Sequence, residues 1–184
     1  LLGAQRLCRK YGALFIDDEV QSGMGRTGKF LAIEHDGPEV DPDIVVLPKP
    51  LPGGFVPVAA VLCKKWIHDK VFSSMQRSVV HSSTFSQGNF AMAAGLAALD
   101  VLDRYQLMKN AERMGNLLGE GLRAMIPRFE FMKEVRWRGL MLGIEFGSPR
   151  SLTLKTAWGI CHGLDKSLFP QACVMPLMNK HHII

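Results

Sequence analysis

The chain has 184 residues, 47% hydrophobic and 21% charged, with a formal net charge of +5. That is the balance of a folded globular protein of one domain or slightly more, and it excludes a disordered tail, which would lack the apolar surface to offset chain entropy. It also excludes a disulfide-dense secreted module: Cys8, Cys63, Cys161 and Cys173 are scattered with no C-x-x-C pair, a usage that suits a reducing compartment and predicts a cytoplasmic setting.

Apolar residues at 2, 4, 7 and 8 carry a helical spacing over residues 2–10, closed by Tyr11-Gly12. Ala13-Leu14-Phe15-Ile16 reads as a buried strand running into Asp17-Asp18-Glu19. Short apolar runs without alternation suit parallel strands covered on both faces. Residues 22–28 form a glycine-rich loop, 38–42 a second loop, and Asp43-Ile44-Val45-Val46-Leu47 a second strand. The stretch 48–57 holds four prolines and two glycines and must be irregular. Residues 58–62 are a third strand candidate and 65–72 a helix. A Ser-rich loop over 73–88 leads to a helix over 89–105, dense in Ala, Leu and Met. A second long helix over 107–126 stops at Pro127. Residues 135–138 and 140–146 read as strands around Gly139. Residues 153–168 read as a helix with Ser151 or Thr153 as N-cap, and 172–175 as a last strand.

No apolar run reaches the length of a membrane span, so no membrane partner is expected. The basic residues sit in short pairs among acids rather than in the clustered stripe of a nucleic-acid footprint, so no nucleic acid is expected either. The chain opens without Met and stops on Ile183-Ile184. Both ends read as cut, which predicts a piece of something larger.

Strand and helix alternate up to about residue 105, which implies an α/β fold with a mainly parallel sheet. Ligands of such sheets sit beyond the carboxyl ends of the strands, and Asp18 and Lys49 fall there. Asp18 is either a solvated strand end or an acid that holds a protonated ring nitrogen or a metal. Lys49 either snorkels to water or, with its stem buried, has a lowered pKa and an amine free to attack carbonyls. His81-Ser82-Ser83-Thr84 precedes the helix at Asn89; its hydroxyls either take a phosphate or cap the helix. Gly23-Met24-Gly25-Arg26-Thr27-Gly28 fits G-x-G-x-x-G, but no long helix follows, which argues against dinucleotide binding. Glu34-His35-Asp36 and His181-His182 offer only adjacent ligands, so no metal is expected. Cys161 and His162 are neighbours on one helix and point apart.

Together these pieces resemble the class III pyridoxal-phosphate aminotransferases of the ornithine, GABA and ω-amino acid type. The run from Asp18 to Lys29, DEVQSGMGRTGK, is similar to that family's D-E-V-Q-T-G-x-G-R-T-G-K. Asp41-Pro42-Asp43-Ile44-Val45 is similar to its P-D-I-V strand entry, and Lys49 falls on its Schiff-base lysine, 31 positions after the acid. His81-Ser82-Ser83-Thr84-Phe85 is similar to its H-G-S-T-F/Y phosphate loop. Val135-Arg136-Trp137-Arg138-Gly139-Leu140-Met141 resembles its V-R-G-x-G-L-M/L strand.

The resemblance implies a fold type I architecture. Residues 1–105 would be the C-terminal part of the large cofactor domain. Residues 106–184 would be a linking helix and an incomplete small α+β domain. It implies pyridoxal 5′-phosphate as cofactor, with Lys49 catalytic and bound to it, Asp18 on the pyridinium nitrogen, Val20 on a ring face and Gln21 near the phenolic oxygen. Ser83 and Thr84 would take the phosphate, in this family usually that of the neighbouring subunit. It implies transfer of an amino group from an amine or ω-amino acid to a 2-oxo acid, in a homodimer with sites at the interface. An inactive remnant, or an aminomutase or racemase on the same fold, are the alternatives. Three features depart from the family pattern. Pro48 and Pro50 flank Lys49 where small residues are usual, Asp17 adds a charge, and the family's upstream half and its C-terminal substrate-carboxylate arginine are absent.

Overall fold

The structure is a computed structural model and describes residues 1–47, 51, 53–82, 84 and 86–183. They fall into two compact units, Leu1–Gly115 with Arg138–Met141, and Asn116–Trp137 with Leu142–Ile184.

In the first unit, helix α1 (Leu2–Lys10) leads to strand β1 (Ile16–Asp18). β1 pairs in parallel with β2 (Ile44–Leu47), Asp18 opposite Val46. β3 (Ala60–Cys63) pairs antiparallel with β2, Ile44 opposite Cys63, giving the order β1-β2-β3. Parallel pairing therefore holds for β1 and β2, while β3 returns antiparallel, as a loop connection rather than a crossover helix permits.

β1 starts later than the apolar run 13–16 predicts. The ladder positions opposite Ala13 and Leu14 would be Asp41 and Pro42. Pro42 has no N–H, and the Asp41 N–H is already given to Gln5 Oε1 at 2.6 Å. Gln5 is 2% exposed and donates from Nε2 to the Glu39 carbonyl at 3.1 Å, so α1 is stitched to this loop. Below the first ladder rung, Asp43 Oδ2 takes the Phe15 N–H at 2.9 Å and Lys64 Nζ bridges Asp41 and Asp43, 3.0 Å from each. The Phe15 N–H first, and then Lys64, hold the Asp43 carboxyl below the usual carboxylate range.

Helices α2 (Lys65–Val71), α3 (Asn89–Arg104) and α4 (Leu107–Met125) follow. The core of this unit is Ile33, Val40, Leu47, Ile67, Ala91 and Ala111. No helix among the described residues is long and apolar enough to cross a membrane.

The second unit is built on the hairpin of β4 (Met132–Arg138) and β5 (Met141–Phe146), whose tip belongs to the first unit. Met132 and Val135 are its buried aliphatics. Helix α5 (Leu152–Leu164) starts after Ser151 as its N-cap, yet the Ser151 hydroxyl makes no capping bond. The Glu130 carboxylate instead fixes the approach to the helix, accepting the Arg150 and Ser151 N–H groups at 2.8 Å each. The last predicted strand, 172–175, is overturned: it lies inside helix α6 (Leu168–His181). The helix carries Pro176 within it. Phe169 explains the choice, because on a helix it reaches Phe131 (4.7 Å), Trp158 (4.8 Å) and Phe146 (5.2 Å), contacts worth about 0.5–1.5 kcal/mol each beyond burial.

Candidate functional site

Because β1 and β2 are parallel and in register, their carboxyl ends open on the same side. Asp18 is the last residue of β1, not a residue beyond it. Its carboxylate is exposed, and Oδ1 accepts the Val20 N–H at 3.0 Å, an Asx turn that ends the strand. Val20 and Gln21, both exposed, follow directly. The structure thus brings Asp18, Val20 and Gln21 together at one strand end. Lys49 stands three positions past Val46, the register partner of Asp18, but Lys49 and Ser83 themselves lie outside the described residues. Thr84 is exposed on the loop before α3. The N-cap of α3 is Gly88, which has no side chain to cap with.

Alternation along a strand puts Asp17 and Glu19 on the face opposite Asp18. Glu19 is 1% exposed. Its Oε2 accepts the Ser22 hydroxyl at 2.5 Å and its Oε1 the Ile33 N–H at 2.9 Å. Its backbone joins Val46 and Gly23. Glu19 is therefore the anchor of the loop that leaves the site. Sequence reasoning treated it only as a charged neighbour; the two-residue period was the signal that could have found it.

The glycine pattern has a packing role. Gly25 and Gly28 press against α4, where an added Cβ would lie 3.0 Å from Met108 Cγ and from Glu112 Cβ. Thr27 is buried, and His35 Nε2 lies 3.2 Å from its Oγ1 and 3.1 Å from its carbonyl. A short 3-10 turn (Ala32–Asp36), not a long helix, follows the loop.

Asp17 carries a cost. Burial first, then the Glu19 charge beside it, push its carboxyl up to about 6, and its Oδ2 is buried without a partner among the described residues. The unfolded chain ionises Asp17 near pH 4 and the folded chain near 6, so stability falls as pH rises between those values and stays lower above. Asp17→Asn is expected to stabilise the chain at pH 7.5 by roughly 1–2 kcal/mol after allowance for solvent screening. The gain should vanish at pH 4 in urea titrations. A gain independent of pH would refute this account of Asp17.

An apolar cavity of about 520 Å³ lies between the glycine loop and α3, lined by Met24, Phe55, Ala97, Val101 and Leu107 among others. Among the described residues, Asp18, Gln21 and Thr84 do not line it.

The profile of the family described as aminotransferase class-III matches residues 1–167. A probable mitochondrial ornithine aminotransferase of Caenorhabditis elegans is 42% identical over 167 residues, covering 91% of this chain and 36% of that protein. The aminotransferase PigE of a Serratia species is 41% identical over 142 residues, 77% of this chain and 16% of its own length. Among solved structures, ornithine aminotransferase of Toxoplasma gondii, whose active site holds partially occupied pyridoxal phosphate, superposes with a TM-score of 0.70 at 38% identity, over 79% of this chain and 33% of that one. The chain thus spans little more than a third, or less, of these relatives. The match runs through the Asp18 loop, the parallel β1–β2 pair and the β4–β5 hairpin, and the chain belongs to the class III aminotransferases.

Proposed function

We propose that this chain serves a pyridoxal-phosphate-dependent transaminase, which moves an amino group from an amine or ω-amino acid to a 2-oxo acid in two half-reactions. One observation carries the reading. An exposed carboxylate, Asp18, ends one parallel strand, and the chain beyond its register partner on the next strand reaches Lys49 within three residues.

The residues present fit the cofactor. Asp18 keeps an exposed carboxylate for a protonated ring nitrogen, and Val20 offers an exposed apolar side chain to a ring face. Gln21 would reach the phenolic oxygen, and Ser83 and Thr84 would hold the phosphate. When bound, pyridoxal phosphate supplies an electron sink for negative charge at the substrate Cα. Lys49 would hold it covalently, and its Nζ would take the proton from the substrate Cα. Pro48 is compatible with this placement on one side, since it asks for an extended residue before it and Leu47 is a strand residue.

Residues 1–105 would be the back part of the large domain and 106–184 the linking helix and small domain. A homodimer with sites at its interface is part of the reading. Apolar side chains exposed on and near α3, Phe90 at 77%, Leu96 at 70% and Phe55 at 92%, support a covered surface in the assembly. The scattered cysteines support a cytoplasmic setting.

The test is the absorption spectrum of the chain with pyridoxal phosphate, beside Lys49→Ala, with borohydride trapping and peptide mapping. A visible band trapped on Lys49 and lost in the variant is the expected result. Absence of the band, or equal labelling of other lysines in both proteins, would make this chain a non-catalytic member of the family.

A further inference from the structure

The loop that follows Asp18 is fastened at both ends, within the first unit. At its start, Glu19 binds Ser22 and the Ile33 N–H. At its end, the hairpin tip closes on Arg26 and Thr27: the Leu140 N–H donates to the Arg26 carbonyl at 2.9 Å, and Gly139 lies against both residues. A Cβ on Gly139 would fall 2.5 Å from the Thr27 carbonyl carbon and 2.6 Å from the Arg26 oxygen. These are backbone atoms, which cannot rotate aside. Gly139 also has φ +52, a region that L side chains rarely adopt. On its other side, a Cβ on Gly115 of α4 would strike the Gly139 carbonyl. Gly139 is thus held between α4 and the loop with no room for a side chain on either.

The loop can relay a displacement at this end back to the site. The Arg26 N–H bonds to the Gly23 carbonyl at 3.4 Å, and the Gly23 N–H bonds to the Glu19 carbonyl at 2.9 Å, one residue from Asp18. Two turn bonds therefore separate the hairpin tip from the end of β1. We propose that Gly139 and Leu140 are positioning residues: the hairpin tip clamps Arg26–Thr27 and thereby holds the segment presenting Asp18, Val20 and Gln21. Their effect on the cofactor rests on the function proposed above; the clamp itself does not.

The test uses hydrogen exchange of the full chain without cofactor. Gly139→Ala is compared with Gly143→Ala, on β5 of the same hairpin, where an added Cβ meets open space. The expected result is exchange at the Gly23, Arg26 and Gly28 amides accelerated roughly tenfold or more in Gly139→Ala, as for local opening. The Glu19 amide, bonded to Val46, should stay protected, and Gly143→Ala should behave as the parent. Should Gly139→Ala fail to fold, Gly115→Ala pushes the tip from the other side and should give the same pattern. Unchanged exchange in the loop overturns the clamp.

A second arm adds pyridoxal phosphate and follows the pH midpoint of the visible band. It should move in Gly139→Ala and not in Gly143→Ala, because a shifted Asp18 changes the protonation of the ring nitrogen. Local loosening with an unmoved midpoint overturns the positioning role. A parent chain that never attaches the cofactor to Lys49 sinks the proposed function instead, and the exchange result still decides the clamp.

Discussion

Glu19→Ala is expected to destabilise the first unit by roughly 3 kcal/mol. The carboxylate is 1% exposed and accepts from two donors on different parts of the loop, Ser22 and the Ile33 N–H. Removing it leaves a buried amide and a part-buried hydroxyl without an acceptor, and stranded groups of this kind cost about 1–3 kcal/mol each. The cavity left by the side chain adds to that. Glu19→Gln should cost less, since an amide oxygen still accepts from Ile33 and an amide NH₂ can donate to the Ser22 oxygen. It should also bring the Asp17 carboxyl down toward the ordinary range, because the neighbouring charge is gone. Urea unfolding gives the first result and a carboxyl NMR titration the second. A loss below about 0.5 kcal/mol for Glu19→Ala, the ordinary surface range, would mean that the loop is held elsewhere.

Trp137→Ala should cost the second unit about 3 kcal/mol, the low end for removing a large aromatic from a packed site. Trp137 stands where the resembling family pattern has glycine. Its indole N–H donates to Asn116 Oδ1 at 3.0 Å, and the Arg123 guanidinium lies 4.3 Å above the ring. Gly119 makes the space, since a Cβ there would strike the ring. Residues 116, 119 and 123 share one face of α4 by the three-and-four spacing, so the helix is cut to receive this side chain. Trp137→Phe keeps the ring and loses only the N–H, for about 1 kcal/mol. Gly119→Ala should cost about 1–3 kcal/mol by overpacking. Circular dichroism in urea is the suitable probe, because the substitution removes one of the two tryptophans of this unit, Trp137 and Trp158, and so changes the fluorescence baseline. Equal stability of Trp137→Ala and the parent would show the socket to be incidental.

Helices were the most legible elements. α1, α3 and α4 agree with the sequence to within a residue or so, because each carries its own apolar spacing and its own stop at Tyr11-Gly12, Tyr105 and Pro127. The β1 start was less legible. It is set by Pro42 and by the claim of Gln5 on the Asp41 N–H, both distant in sequence. The strand expected at 172–175 was misread because four apolar residues before a proline carry no period of their own, while the aromatic partners of Phe169 come from Phe131, Phe146 and Trp158.

The candidate site divides in the same way. The order of residues was sufficient for the family, since its motifs are local properties of the chain; the roles proposed for Asp18 and Lys49 rest on those motifs. Tertiary structure alone assigned the neighbours. It gave the glycine pattern a packing role against α4, made Glu19 an anchor while leaving Asp18 open, and set Gly139 against Arg26 and Thr27. The physical reason is that hydrogen-bond satisfaction and close packing depend on groups far apart in sequence. The identity of Glu19 is written in the chain, but that its oxygens would meet Ser22 and the backbone of Ile33 is decided only when the loop closes.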